Sequence, residues 1–153
     1  MEVSTCWEPT APRLARCVHV CDGDTIHVHM AWRTPTDSVA RWLLVKCRLF
    51  GINSPEMHAQ DDHVRQQAKE CKKLMADLVL NKVVIVVFIA DKHRDPFGRS
   101  LARILLPNAD ADIPASLLEN PDSVLSEDVV KNTMDVNLHM LLHGPGTVSF
   151  HPS

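Results

Sequence analysis

The chain has 153 residues, 45% hydrophobic and 23% charged, with a formal net charge of −3 at pH 7. That length suits one domain with one core, and the composition excludes a collagen-like, low-complexity or membrane-spanning protein. The first 15 residues, MEVSTCWEPTAPRLA, lack a basic start followed by an apolar run and do not read as a signal peptide. Residues 1–13 therefore read as a flexible arm and 14–153 as one folded domain. The five cysteines, Cys6, Cys17, Cys21, Cys47 and Cys71, are odd in number and contain no CxxC pair. They fit reduced thiols in an intracellular, cytoplasmic protein.

Residues 16–30, RCVHVCDGDTIHVHM, alternate apolar and polar on either side of Asp22-Gly23. This is the pattern of a hairpin, with glycine expected to supply a positive φ. AWRTPTDSV reads as a polar loop. Residues 41–50, RWLLVKCRLF, predict a third strand with Leu43, Val45, Cys47 and Leu49 facing inward. The period changes over 62–80, where Val64, Ala68, Cys71, Met75 and Leu78 recur at helical steps. Asp61 or Asp62 can cap that helix and Asn81 can end it. KVVIVVFIAD is apolar on both faces, so it predicts a strand covered by the barrel interior on one side and the preceding helix on the other. DPFG (95–98) fits a type I turn, RSLARILLP a fifth strand, and MDVNLHMLLHG a helix ended by Gly144.

Acidity is concentrated between the fifth strand and the last helix. Residues 107–135 hold seven acids and one lysine, so the rest of the chain has 12 acids against 15 lysines and arginines. A polyanionic partner therefore suits the body of the protein. The segment 107–133 reads as an acidic insert, a solvated loop with one short helix at SLLEN or SEDVVKN. Three strands, a helix, two strands and a helix suggest an α+β fold, a five-stranded OB-type barrel with two or three packed helices.

Arg48 on a strand and Glu56 on the turn after it lie close along the chain. Taken singly, each is an ordinary surface residue. The motifs DGDT (22–25), CRLFGINSPE (47–56) and DPFGR (95–99), in that order, together resemble the staphylococcal nuclease, or thermonuclease-like, family. The resemblance covers roughly 14–106 and 134–150. It implies phosphodiester hydrolysis with Ca2+ or another divalent cation. By position, Arg48 and Arg99 resemble the phosphate-binding arginines and Glu56 the glutamate that hydrogen-bonds the attacking water. Asp24, Asn53 and the Ser54 carbonyl resemble the metal ligands.

That chemistry asks for these residue types. Guanidinium forks hold two phosphate oxygens each and stabilise the charge of a five-coordinate phosphorus. A hard dication adds a Lewis acid, and a carboxylate positions or deprotonates the water. Three departures from the family pattern stand out. Asn53 replaces the usual aspartate and offers an oxygen without charge. The chain has no tyrosine, leaving Phe97 and Phe150 near the positions of substrate-contacting tyrosines. Pro96 replaces a basic residue, with Lys92, His93 and Arg94 nearby.

His27 and His29 form an HxH pair with no third ligand placed by spacing. They read as a solvated face, as do His139 and His143. The expected function is a Ca2+-dependent nuclease acting on DNA, RNA or both with low sequence specificity, as a monomer with no membrane partner. The alternative is a catalytically weak nuclease-fold domain that binds nucleic acid or a protein partner, as in Tudor-containing proteins. A third class, an assembly protein, rests on the acidic segment alone.

Overall fold

The structure, a computed structural model, describes residues 11–32, 39, 41–89, 98–108, 113, 115–120, 125 and 127–150. Strands β1 (Arg13–Asp22), β2 (Thr25–Trp32) and β3 (Arg41–Leu49) form an antiparallel meander. The chain continues through the short β4 (Ile52–Asn53), helix α1 (Asp62–Val79), β5 (Val83–Phe88) and β6 (Ser100–Pro107). β5 pairs with β1 and with β6, and a parallel pairing of β6 with β3 closes the barrel, setting Cys47, Arg48 and Leu49 opposite Ser100, Leu101 and Ala102. The five-stranded OB-type barrel of an α+β fold follows directly from this order.

Several expectations are corrected at the level of single residues. β1 starts at Arg13, inside the expected arm, and Leu14 is already buried; residues 1–10 lie outside the described residues. Gly23 is not among the residues with positive φ. Its need is proximity, since a Cβ there would stand 2.7 Å from Cys71 Cβ and 2.9 Å from Ser54 Cβ. Leu43 is exposed and Val45 half-buried, because β6 covers only the last three residues of β3. Of the expected DPFG turn only Gly98 is described, with φ of 79°.

Helix α1 is capped by the Asp61 carboxylate, which accepts from the His63 and Val64 amides, and it ends before Asn81 at φ 63°. It buries Ala68, Cys71, Met75 and Val79, with Leu78 half-buried beside them. These pack with Val28, Met30, Leu49, Val84, Val86 and Ile104 into the main core. The Cys17, Cys47 and Cys71 thiols form no disulfide and are buried; Cys17 Sγ donates to the His19 carbonyl and Cys71 Sγ to the Pro145 carbonyl.

The outer face of β5 is covered by the acidic insert and not by α1. Two short helices, α2 (Ala115–Glu119) and α3 (Glu127–Lys131), place Leu117, Leu118, Val129 and Val130 against Leu14, Ile85 and Leu105. The solvated-loop reading of this segment is thus replaced by a second apolar cluster. A short β7 (Thr133–Asp135) adds to β6 and leads into α4 (Val136–His143), capped by Asp135 through the Leu138 amide. Gly144 ends α4 as expected. The final strand, β8 (Val148–Ser149), pairs with β4. No described helix is long and apolar enough to cross a membrane.

Candidate functional site

The register of the meander assembles the site. Thr25 on β2 is the direct cross-strand partner of Arg48 on β3, which puts Asp24, at the end of the hairpin turn, beside the guanidinium. β6 runs parallel to β3 from Ser100, so Arg99, the residue before it, arrives at the same barrel end. The turn at Phe50-Gly51, with φ of 90° at Gly51, returns the chain through β4 to Ser54 and Glu56. Asp24, Arg48, Asn53, Ser54, Glu56 and Arg99 all line one cleft of about 630 Å³. The structure therefore brings together the six residues to which the resemblance assigns catalysis or metal binding; Lys92, His93, Arg94, Pro96 and Phe97 lie outside the described residues.

Asp24 is the fixed point of the cleft and only 7% exposed. One carboxylate oxygen accepts from the Thr25 hydroxyl at 3.0 Å, and the other accepts from the Ser54 amide at 2.9 Å and lies 3.3 Å from Arg48 Nη1. Burial alone would raise its pKa. Hydrogen bonds from the Asp22 carboxyl, the Ser54 N–H and the Thr25 hydroxyl, with the Arg48 charge, outweigh burial and hold it below the ordinary value. Asp22 takes the opposite course. Its burial, then its hydrogen bond to Asp24 and the Asp24 charge, push it up to about 6. The two carboxyls are thus shifted in opposite directions, and an Asp22 carboxyl oxygen also accepts from the Asp24 amide at 3.0 Å.

Arg48 is buried among acceptors. Its Nη1 donates to the Leu49 carbonyl at 3.1 Å and the Ile52 carbonyl at 2.8 Å, and its Nη2 donates to Asn53 Oδ1. Arg99 donates from Nη1 to the Thr25 hydroxyl at 3.2 Å, so Thr25 links Arg99 to Asp24 through a single oxygen. Glu56 is exposed on the cleft rim.

Several contributors escape a reading by sequence. Thr25 lies inside DGDT, yet its relay between Arg99 and Asp24 depends on a strand some 75 residues later. Asn137 on α4 is buried and staples the site from behind. Its side chain accepts from the Ile104 amide and donates to the Phe50 and Ala102 carbonyls, joining α4, β6 and the turn after β3. Cys21, Met57, His58 and Lys72 complete the cleft wall. The HxH pair divides: His27 Nε2 meets Cys21 Sγ at 3.2 Å and its ring lies near that of His19, whereas His29 lies near Trp42. Among the described residues no three His, Cys, Asp or Glu side chains form a metal-binding group.

For a hard dication the donor chemistry is suitable. Asp24 presents a carboxylate held rigidly by the Thr25 hydroxyl and the Ser54 amide, with the Asp22 carboxyl beside it. A guanidinium already stands against Asp24, which shows that the position favours positive charge.

An OB-type barrel with α1 and α4 packed on it, carrying two arginines and a rim glutamate around a buried aspartate, defines a nuclease-fold protein. The profile of the family described as staphylococcal nuclease homologue matches residues 46–150, and the chain belongs to that family. No curated protein matches the chain at a significant level.

Proposed function

We propose that the protein is a divalent-cation-dependent, most simply Ca2+-dependent, nuclease that hydrolyses phosphodiester bonds of DNA, RNA or both with little sequence preference. The observation that carries this reading is the convergence of Arg48, Glu56 and Arg99 around Asp24 in one cleft. In catalytically decayed domains of this fold the arginines and the glutamate are usually degraded, and here all three are present.

The residues take distinct roles. Arg99, anchored by Thr25 at the cleft wall, and Arg48 bind the phosphate and stabilise the charge that develops on it. Glu56, exposed on the rim, orients or deprotonates the attacking water. Asp24, with the Ser54 carbonyl, is the group that would hold the cation. The ion, when bound, supplies a Lewis acid that neutralises phosphate charge. Asp24, Thr25 and Arg48 sit on barrel strands or their ends, so the groups around the phosphate are held in place before substrate arrives.

The test is incubation of the purified protein with single- and double-stranded DNA and RNA, in calcium, magnesium, manganese or chelator. Cleavage that requires a divalent cation and leaves 5′-hydroxyl and 3′-phosphate ends is expected. Tight binding of the same substrates without cleavage in any metal would favour the alternative, a nucleic-acid-binding domain.

A further inference from the structure

Arg48 leaves β3 and turns back on the segment that follows it. Three of its acceptors, the Leu49 carbonyl, the Ile52 carbonyl and Asn53 Oδ1, lie within five residues of it along the chain. The two carbonyls belong to the backbone and would be present with any sequence. Asn53 Oδ1 comes from a side chain, and it engages Nη2 while the carbonyls engage Nη1. Nη1 is also held by Asp24 Oδ2 at 3.3 Å, so Asn53 is the acceptor that holds the second prong, Nη2, and two-pronged recognition of a phosphate depends on both prongs being aligned.

The same contact makes Asn53 a poor metal ligand. Its single amide oxygen is neutral and already taken by Nη2, whereas Asp24 carries a full negative charge and keeps a second oxygen, Oδ1, that does not face Arg48. We propose that Asn53 is a positioning residue for Arg48 and acts on cleavage through it, leaving Asp24 as the side chain that holds the ion. The proposal rests on the nuclease reading of the cleft. An amide suits this task better than a carboxylate. Asp24 already makes a charge-assisted contact to Nη1; a neutral acceptor on Nη2 orients the fork, whereas a second carboxylate there would tie up both prongs against phosphate. The uncharged residue at position 53, a loss if it were a ligand, becomes a means of keeping Arg48 both aligned and available.

Two variants decide the matter, Asn53→Ala and Asn53→Asp, with three readouts: NMR of the Arg48 side-chain N–H groups in metal-free protein, calorimetric Ca2+ affinity, and kcat at saturating Ca2+. A positioning role predicts that Asn53→Ala merges the separate Arg48 Nη–H signals into the averaged signal of a mobile arginine. Ca2+ affinity should stay unchanged, and kcat should fall about 10- to 100-fold, the usual loss for a residue that supports a reactive group. Asn53→Asp should keep the Arg48 signals distinct while lowering kcat. A ligand role predicts the reverse for Asn53→Ala: weakened Ca2+ binding, with kcat restored once the ion saturates. That result, or Arg48 signals indifferent to the loss of the amide, overturns the proposal. If Asn53→Ala does not fold, loss of the distinct signals or an undiminished kcat in Asn53→Asp overturns it. If the wild type cleaves nothing, the nuclease reading fails, while the NMR comparison still decides whether Asn53 holds Arg48.

Discussion

The end of the barrel and its outer face bury different things on the same strands. At the end, Asp24, Thr25 and Arg48 are nearly closed off from solvent, and each has polar partners. On the outer face of β1, β5 and β6, the buried cluster of Leu14, Ile85 and Leu105 is completed by Ile113, Leu117, Leu118, Leu125, Val129 and Val130 from the insert. Burying charge is costly unless every group is paired, whereas burying aliphatic side chains is directly stabilising. One region therefore spends stability to hold reactive groups in place, and the other supplies it. Substitutions in the two regions should separate cleanly into losses of activity and losses of stability.

The largest effect on stability is expected at the outer face. Ile85 is fully buried beneath the insert, so Ile85→Ala should cost about 2–5 kcal/mol. Denaturant unfolding would show this, with the cleavage rate of the still-folded protein unchanged. A comparable loss of cleavage rate would mean that the two regions are coupled. The mirror experiment is Glu56→Gln. Glu56 is exposed and its removal leaves no buried group unpaired, so the melting temperature should hold. Activity should fall by roughly a hundredfold or more, equivalent to ~2.7–4 kcal/mol of transition-state stabilisation by analogy with oxyanion-type sites.

A smaller effect is expected where the regions meet. Gly23→Ala drives a methyl group into Cys71 of α1 and Ser54 of the cleft wall, an overpacking that costs about 1–3 kcal/mol. Because the Ser54 amide holds Asp24, this variant should lose stability and activity together, measured as paired unfolding and cleavage curves.

The smallest effect concerns pH in metal-free protein. The Asp22 pKa is raised to about 6 from 3.8. Its stabilising contribution is therefore fully present below pH 3.8 and is lost as pH rises toward 6. Asp24, with a lowered pKa, contributes in the opposite sense, above its ordinary value. Asp22→Asn removes the first dependence alone. The variant should match the wild type at pH 3.5 and exceed it at pH 7.5, by at most about 1 kcal/mol given the partial exposure of the group. Urea unfolding in chelator at the two pH values checks the sign.

What the sequence revealed of each region follows from the range of the forces involved. DGDT and CRLFGINSPE are local, and their residues meet because a hairpin and a tight turn bring near neighbours together. The α1 stripe was legible from its period, as was the helix ended by Gly144. The closure of β3 on β6 is long-range and leaves no mark on the alternation of RWLLVKCRLF, which points Leu43 inward although it is exposed. In the insert the charges stand out, while its apolar residues come in adjacent pairs, Leu117-Leu118 and Val129-Val130, too short for a period to show. Thr25, Asn137 and the bond from Arg48 to Asn53 were silent because polar side chains reveal their partners only in three dimensions.

The central claim is that the barrel end cleaves phosphodiesters by the joint action of its charged groups, and Arg99 tests it most directly. Its guanidinium is half-exposed and bonds to the Thr25 hydroxyl, so its loss should leave the barrel intact. Single-turnover cleavage of a defined oligonucleotide in saturating calcium should be slower in Arg99→Ala by roughly a hundredfold or more, with a circular dichroism spectrum and melting curve matching the wild type. Equal rates for the two proteins would contradict the account.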